Sequence, residues 1–198
     1  MRTVLGNMKL KTTLPWVEIK KRLKEKSDKE LLSLISSCYK TSDEVKFYLT
    51  SIVVDEEEAN EILMELKEIL SQAFWATAKN GRPLGPNLKE AKKVISAVKE
   101  VTNNPETIVN FMLDYVEHGV GFTNVYGDMW DGYYSSIEGM FESLEKHLMK
   151  NVDKIDIEVT MNRIEDIVNK SNGIGWEFHD NLLDRYVALK FSIKELNK

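Results

Sequence analysis

The sequence predicts an all-α protein of about nine helices, packed as antiparallel hairpins in an irregular bundle or a short solenoid-like array. Three observations lead there. Apolar residues recur at three- and four-residue spacing along most of the chain, while strand-like alternation is almost absent. Ser, Asp or Asn precedes most of these periodic stretches, where a helix needs a cap. The connections are short, which makes consecutive helices antiparallel neighbours. No strict repeat appears, so no named repeat class is assigned.

The first helix is expected to begin near Pro15, a residue suited to a first helical position, with Trp16, Ile19 and Leu23 as its stripe. Ser27 and Glu30 have the spacing of a capping box for the next, which carries Leu31, Leu34, Ile35 and Cys38. Ser42 caps a short third helix through Val45, Tyr48, Leu49 and Ile52. Asp55 opens a long fourth helix with Ile62, Leu66, Ile69, Ala73 and Phe74. Its early Glu56, Glu57 and Glu58 complement the positive end of the helix dipole.

The segment KNGRPLGPN, residues 79–87, is the clearest break in the pattern. It predicts a boundary between an N-terminal helical part, 14–78, and a C-terminal part, 88–198, packed on the first. Residues 1–13 are expected to be a flexible tail, with Met8 an alternative start. Asn87 then caps a helix marked by Val94, Ile95, Val98 and Val101. Asn104 and Pro105 start another, with Ile108, Phe111, Met112 and Tyr115 as its stripe. Gly119 and Gly121 are expected to loosen its end, and an aromatic loop to run to about Gly132. A helix from Tyr133 to Lys150 buries Ile137, Met140, Phe141, Leu144 and Leu148. A weaker helix covers roughly 153–169, Gly173 stops it, and the last helix runs from about Gly175 to Leu196.

Composition narrows the class. The chain has 198 residues, 42% hydrophobic and 30% charged, as in ordinary globular proteins. Cys38 is the only cysteine, which excludes an internal disulfide and a cysteine-rich metal site. Its place on a helical stripe predicts a small buried hydrophobe rather than a reactive thiol. The N-terminus lacks the apolar core of a signal peptide, and no run is long enough to span a membrane. A cytoplasmic location is therefore expected. The net charge of −5 is uneven: residues 1–26 hold eight Lys/Arg against two Glu. That basic end reads as a solvated helix face, or as a contact for RNA, anionic lipid or the acidic body of a second copy. Lys79, Arg82, Lys89, Lys92 and Lys93 similarly read as a solvated helix start before a phosphate site.

Two stretches concentrate chemistry. In the helix after Pro105, Asp114 and His118 lie one turn apart at the edge of the apolar stripe. A carboxylate and an imidazole so placed could share a metal or act as an acid–base pair, or simply stabilise the helix. In the last helix, Trp176, Asp180, Leu183 and Val187 fall on one face, with His179 and Tyr186 beside them. Buried polar groups there would need partners. Together with Glu138, Asp114, His118 and His179 would suffice chemically for a carboxylate–histidine centre. His147 reads as edge packing. The loop FTNVYGDMWDGYY fails the calcium register, because Tyr126, Met129 and Trp130 occupy required positions. No dinucleotide, phosphate-loop, zincin or nucleophile-elbow motif is present.

Several pieces resemble a bacterial family of uncharacterised helical proteins, family 6155 among the domains of unknown function. They are EIKKRLKEKSDKELLSLISSCYKTSDEVKFYL at 18–49, LKEAKKVISAVKE at 88–100, MLDYVEHGVGFTNVYGD at 112–128, YYSSIEGMFESL at 133–144 and GIGWEFHDNL at 173–182. The third and fifth are the most specific. The resemblance implies a helical protein and carries over no reaction and no catalytic residue.

The expected function is a helical interaction module that binds a protein, a peptide or a second copy through a groove in the C-terminal half. Tyr115, Phe122, Tyr126, Trp130, Tyr133 and Trp176 would supply contact surface, with Asn124 and Asp128 in the same loop. The alternative is a small-molecule or metal-dependent enzyme built on Asp114, His118, Glu138, His179 and Asp180. No cofactor and no resident metal is expected, nucleic acid is disfavoured as a partner, and no membrane is involved.

Overall fold

A computed structural model describes residues 14–196. The expectation of a tail over 1–13 lies outside the described residues. Among those residues the chain is all α-helical: nine helices, one 3-10 turn at Val152–Lys154, and no strand beyond a single antiparallel bridge between Thr77 and Pro83. No helix is long and apolar enough to cross a membrane.

The chain divides into two compact units, Met1–Val54 and Asp55–Lys198. The sequence placed its boundary at 79–87; the structure divides the chain at Val54/Asp55 instead. Residues 79–87 lie inside the second unit, as a tight return pinned to the end of the preceding helix. Ala78 N–H donates to Arg82 O at 2.7 Å, Leu84 N–H to Ala76 O at 2.9 Å, and Asn87 N–H to Ala73 O at 2.7 Å. Glycine and proline mark a turn equally well whether it joins packed helices or separates domains.

In the first unit, α1 (Trp16–Leu23), α2 (Asp28–Tyr39) and α3 (Asp43–Ser51) follow the expected caps. Pro15 is the N-cap of α1, one residue earlier than expected. Ser27 and Glu30 close a reciprocal capping box. The Ser27 backbone N–H, then its hydroxyl and Lys26, hold the Glu30 carboxyl down at about 2. Ser51 is the one buried residue among the described residues of this unit. Leu34, Ile35 and Tyr39 are exposed, and so is Cys38, which corrects its reading as a core residue. Periodicity places a residue on a stripe; it does not supply the second layer that buries the stripe.

The second unit contains α4 (Glu56–Trp75), α5 (Leu88–Val101), α6 (Pro105–Tyr126), α7 (Asp131–Lys150), α8 (Ile157–Lys170) and α9 (Phe178–Leu196). Helix α6 is central and packs against α4, α5, α7 and α8, while α9 packs on α7 and α8. Accordingly α6 is buried on all sides: Val109, Phe111, Met112, Leu113, Tyr115 and Val116 are each inaccessible or nearly so. Phe74, Val98, Phe141, Leu144, Ile164 and Leu182 bring the other helices into the same core.

Two expectations about α6 and α9 change. Helix α6 continues through Gly119 and Gly121 to Tyr126. Gly119 lets α7 approach: a β-carbon there would overlap the fully buried Ile137 side chain. The helix ends instead at Gly127, whose φ of 86° is open to glycine without steric cost. Helix α9 begins at Phe178, not Gly175. It buries Phe178, Leu182, Tyr186, Leu189 and Ile193, whereas Trp176, Asp180, Leu183 and Val187 are exposed. Both faces of α9 carry apolar residues, so the wheel could not choose between them; contact with α7 and α8 does.

Candidate functional site

The long reach of α6 creates two neighbourhoods. At its middle, Asp114 and Glu117 face α8 and α4. Asp114 Oδ1 accepts from Arg163 Nη2, and its Oδ2 lies 3.6 Å from Lys67 Nζ. Glu117 accepts from Arg163 at 2.8 Å and from Lys170 at 3.2 Å. Burial raises the Glu117 carboxyl, but Arg163 and Lys170 outweigh it and hold the group below the usual range. Arg163 thus ties α8 to α6 through two carboxylates, a strong charge-assisted arrangement.

His118 is committed elsewhere. Trp75 Nε1–H donates to its Nδ1 at 3.0 Å, and the ring lies against Phe74. Indole N–H is only a donor, so Nδ1 carries no proton and the neutral ring holds it on Nε2. Burial lowers the His118 pKa, against the opposing pull of Asp114 and Glu117. Among the described residues no hydrogen bond links Asp114 to His118. Both line an open cleft of about 400 Å³ between α4 and α6, with Met64, Lys67, Glu68 and Ser71.

The remaining polar candidates go to separate partners. Glu138 accepts from Asn181 Nδ2 at 2.9 Å. His179 Nδ1 is 2.9 Å from Ser171 Oγ, whose own proton goes to Val168 O, so Nδ1 is the donor. Asp180 is exposed. Among the described residues no three His, Cys, Asp or Glu side chains are grouped to hold a metal ion. The joint centre expected from Asp114, His118, Glu138 and His179 is therefore corrected to four separate contacts, with Arg163, Trp75, Asn181 and Ser171. Residue chemistry alone could nominate these groups; it gave no distances.

The second neighbourhood is the end of the unit where α6 passes into α7. Here four of the sequence-marked aromatics, Phe122, Tyr126, Trp130 and Tyr133, lie in ring contact. Rings form a chain from Trp75 to Phe122 (5.5 Å between centroids), Phe122 to Tyr126 (4.6 Å), Phe122 to Tyr133 (6.5 Å), Tyr133 to Tyr134 (5.7 Å) and Tyr134 to Phe178 (5.0 Å). Trp130 leans on Tyr133 at 5.4 Å. The buried phenols of Tyr133 and Tyr115 are satisfied: Tyr133 Oη donates to Gly119 O at 2.8 Å, and Tyr115 Oη shares a 2.8 Å bond with Ser136 Oγ. Burial raises both phenols, Ser136 opposing it at Tyr115. Tyr134 Oη donates to Asp128 Oδ1 at 2.8 Å and accepts Met129 N–H at 3.1 Å, which folds the loop onto α7.

The turn before α9 sits against this loop. Asn124 Nδ2 donates to Lys170 O at 2.8 Å, and a β-carbon on Gly175 would lie 3.9 Å from the Asp128 carboxylate. Within the turn Trp176 and Glu177 hold φ values of 61° and 58°, left-handed conformations that are costly for such residues. Buried Ile174 and Phe178 anchor the turn on either side. The result is an outward-facing aromatic end: Trp176 is 65% exposed, Trp130 54% and Tyr126 45%, with Trp130 against buried Tyr133 and Tyr126 against buried Phe122.

Sequence reasoning missed Trp75, Arg163, Lys67 and Ser171. Arg163 and Trp75 act across more than forty residues of chain, and no local spacing reports that. No family model matches the chain, and neither a curated protein nor a solved structure matches it.

Proposed function

We propose that this chain is a non-enzymatic, cytoplasmic interaction module, binding a protein or peptide through the aromatic end of its second unit. The observation that supports this reading is the exposure of Tyr126, Trp130 and Trp176 on adjoining segments, with Tyr126 and Trp130 resting on buried Phe122 and Tyr133. Solvent-facing tryptophans on a rigid base are the residues that dominate binding energy when covered. The polar candidates support it by being otherwise engaged, since Asp114, His118, Glu138 and His179 each have a structural partner. Membership of the bacterial helical family that the sequence resembles belongs to the same proposal and assigns no reaction.

The test is selection of binders from a displayed library of random peptides, followed by titration against wild type, Trp130→Ala and Trp176→Ala. Both variants should keep the wild-type helical signal and melting transition, because the removed side chains are exposed. Each should weaken binding by about tenfold or more. Peptides that bind all three proteins equally would refute this placement.

A further inference from the structure

Building on that reading, we infer that the aromatic end takes a Lys/Arg-bearing segment of a partner protein. The two segments that form the end, residues 124–135 and 173–182, contain Asp128, Asp131, Glu177 and Asp180 and neither a Lys nor an Arg. All four acids are exposed. Among the described residues no ion pair engages any of them, and Asp128 accepts a hydrogen bond only from the neutral Tyr134 hydroxyl.

Elsewhere in the unit, Asp114 and Glu117 have Arg163, Lys67 and Lys170 as cationic partners, and Glu142 and Glu145 have Lys146 and Arg185. Unmatched carboxylates coincide with the exposed tryptophans, on segments brought together by the Gly175–Asp128 approach. A cation is drawn both to a carboxylate and to the face of an indole or phenol ring. One Lys or Arg side chain could use both, its aliphatic stem lying on Trp130 or Trp176. An acidic or wholly apolar segment would leave four carboxylates unpaired as water is removed, which is costly. A nucleic-acid backbone would be repelled outright.

The experiment uses the full chain and the same displayed library. Selected sequences are synthesised in pairs, one native and one with every Lys and Arg replaced by Gln. Titrations are run at low and high salt against wild type, Trp130→Ala, and the triple variant Asp131→Asn/Glu177→Gln/Asp180→Asn. The selected peptides should be enriched in Lys and Arg. Their Gln counterparts should bind at least about tenfold more weakly, the triple variant should lose a similar factor, and wild-type affinity should fall as salt rises. Binders that need Trp130 yet ignore salt, the Gln replacement and the triple variant overturn the cationic partner and leave the interaction surface standing. Binders indifferent to Trp130→Ala overturn both. A dimer seen by light scattering that dissociates in the triple variant makes a second copy the occupant and also overturns the partner segment.

Discussion

Replacing Gly119 by alanine tests whether the contact between α6 and α7 is as close as described. A β-carbon at 119 would stand 2.8 Å from Ile137 Cγ1 and nearer still to Cδ1, well inside van der Waals contact. Ile137 is fully buried, so its side chain has no free space into which to turn. Overpacking of this kind costs about 1–3 kcal/mol. Against it stands the gain in helix propensity from Gly to Ala, about 0.8–1.0 kcal/mol. The net expectation is destabilisation by about 1 kcal/mol. Gly121, two residues on in the same helix, supplies the control. A β-carbon there would meet Trp75 Cζ2 at 3.4 Å and Cη2 at 3.8 Å, ordinary contact distances. Gly121→Ala should therefore keep the propensity gain and be stabilising by about 0.5–1 kcal/mol. Since propensity cancels between the two variants, their gap of about 2 kcal/mol measures the packing term alone. Urea unfolding followed by far-ultraviolet circular dichroism reads it directly, with unchanged m-values showing that the unfolded state is the same. Ile137→Val, which deletes the nearest atom, should cost about 1 kcal/mol in wild type and almost nothing beside Gly119→Ala. Equal stability of the two alanine variants, or no coupling with Ile137→Val, would refute the close approach.

Two further expectations concern the α4–α6–α8 cluster. Burial depresses the His118 pKa, so the unfolded chain binds the extra proton first. Stability is then complete above the ordinary histidine pKa of about 6.5 and is lost as pH falls through it toward the folded value. His118→Gln should flatten the slope of stability between about pH 7 and 5. His147, also depressed by burial and then by Lys99 and Lys150, keeps its share in both proteins. An unchanged slope would remove the Trp75–His118 lock. Separately, Arg163→Met leaves the nearly buried Asp114 with only Lys67 at 3.6 Å. It should cost about 2–3 kcal/mol, below the loss for a fully buried pair because Arg163 is partly exposed. Asp114→Leu/Arg163→Met should recover part of that loss in the same urea assay, whereas a single-variant cost under about 0.5 kcal/mol would show a surface pair.

Local chemistry was legible in the amino-acid sequence. Caps at Ser27, Ser42, Asp55, Asn87 and Asn104 start helices where the side-chain oxygen meets the first free N–H groups, a matter settled within three residues. The all-α class followed from the same short-range periodicity, and the grouping of Phe122, Tyr126, Trp130 and Tyr133 was visible because they lie close together in the chain. Tertiary structure decided what local pattern cannot carry. It chose the Phe178–Leu182–Tyr186 face of α9 over the equally apolar Leu183–Val187 face. It made Gly119 a point of helix contact rather than a helix end. It gave His118 to Trp75 and Asp114 to Arg163, partners more than forty residues away. Burial and pairing depend on which surfaces meet, and two helices with identical periodicity differ only in what is packed against them.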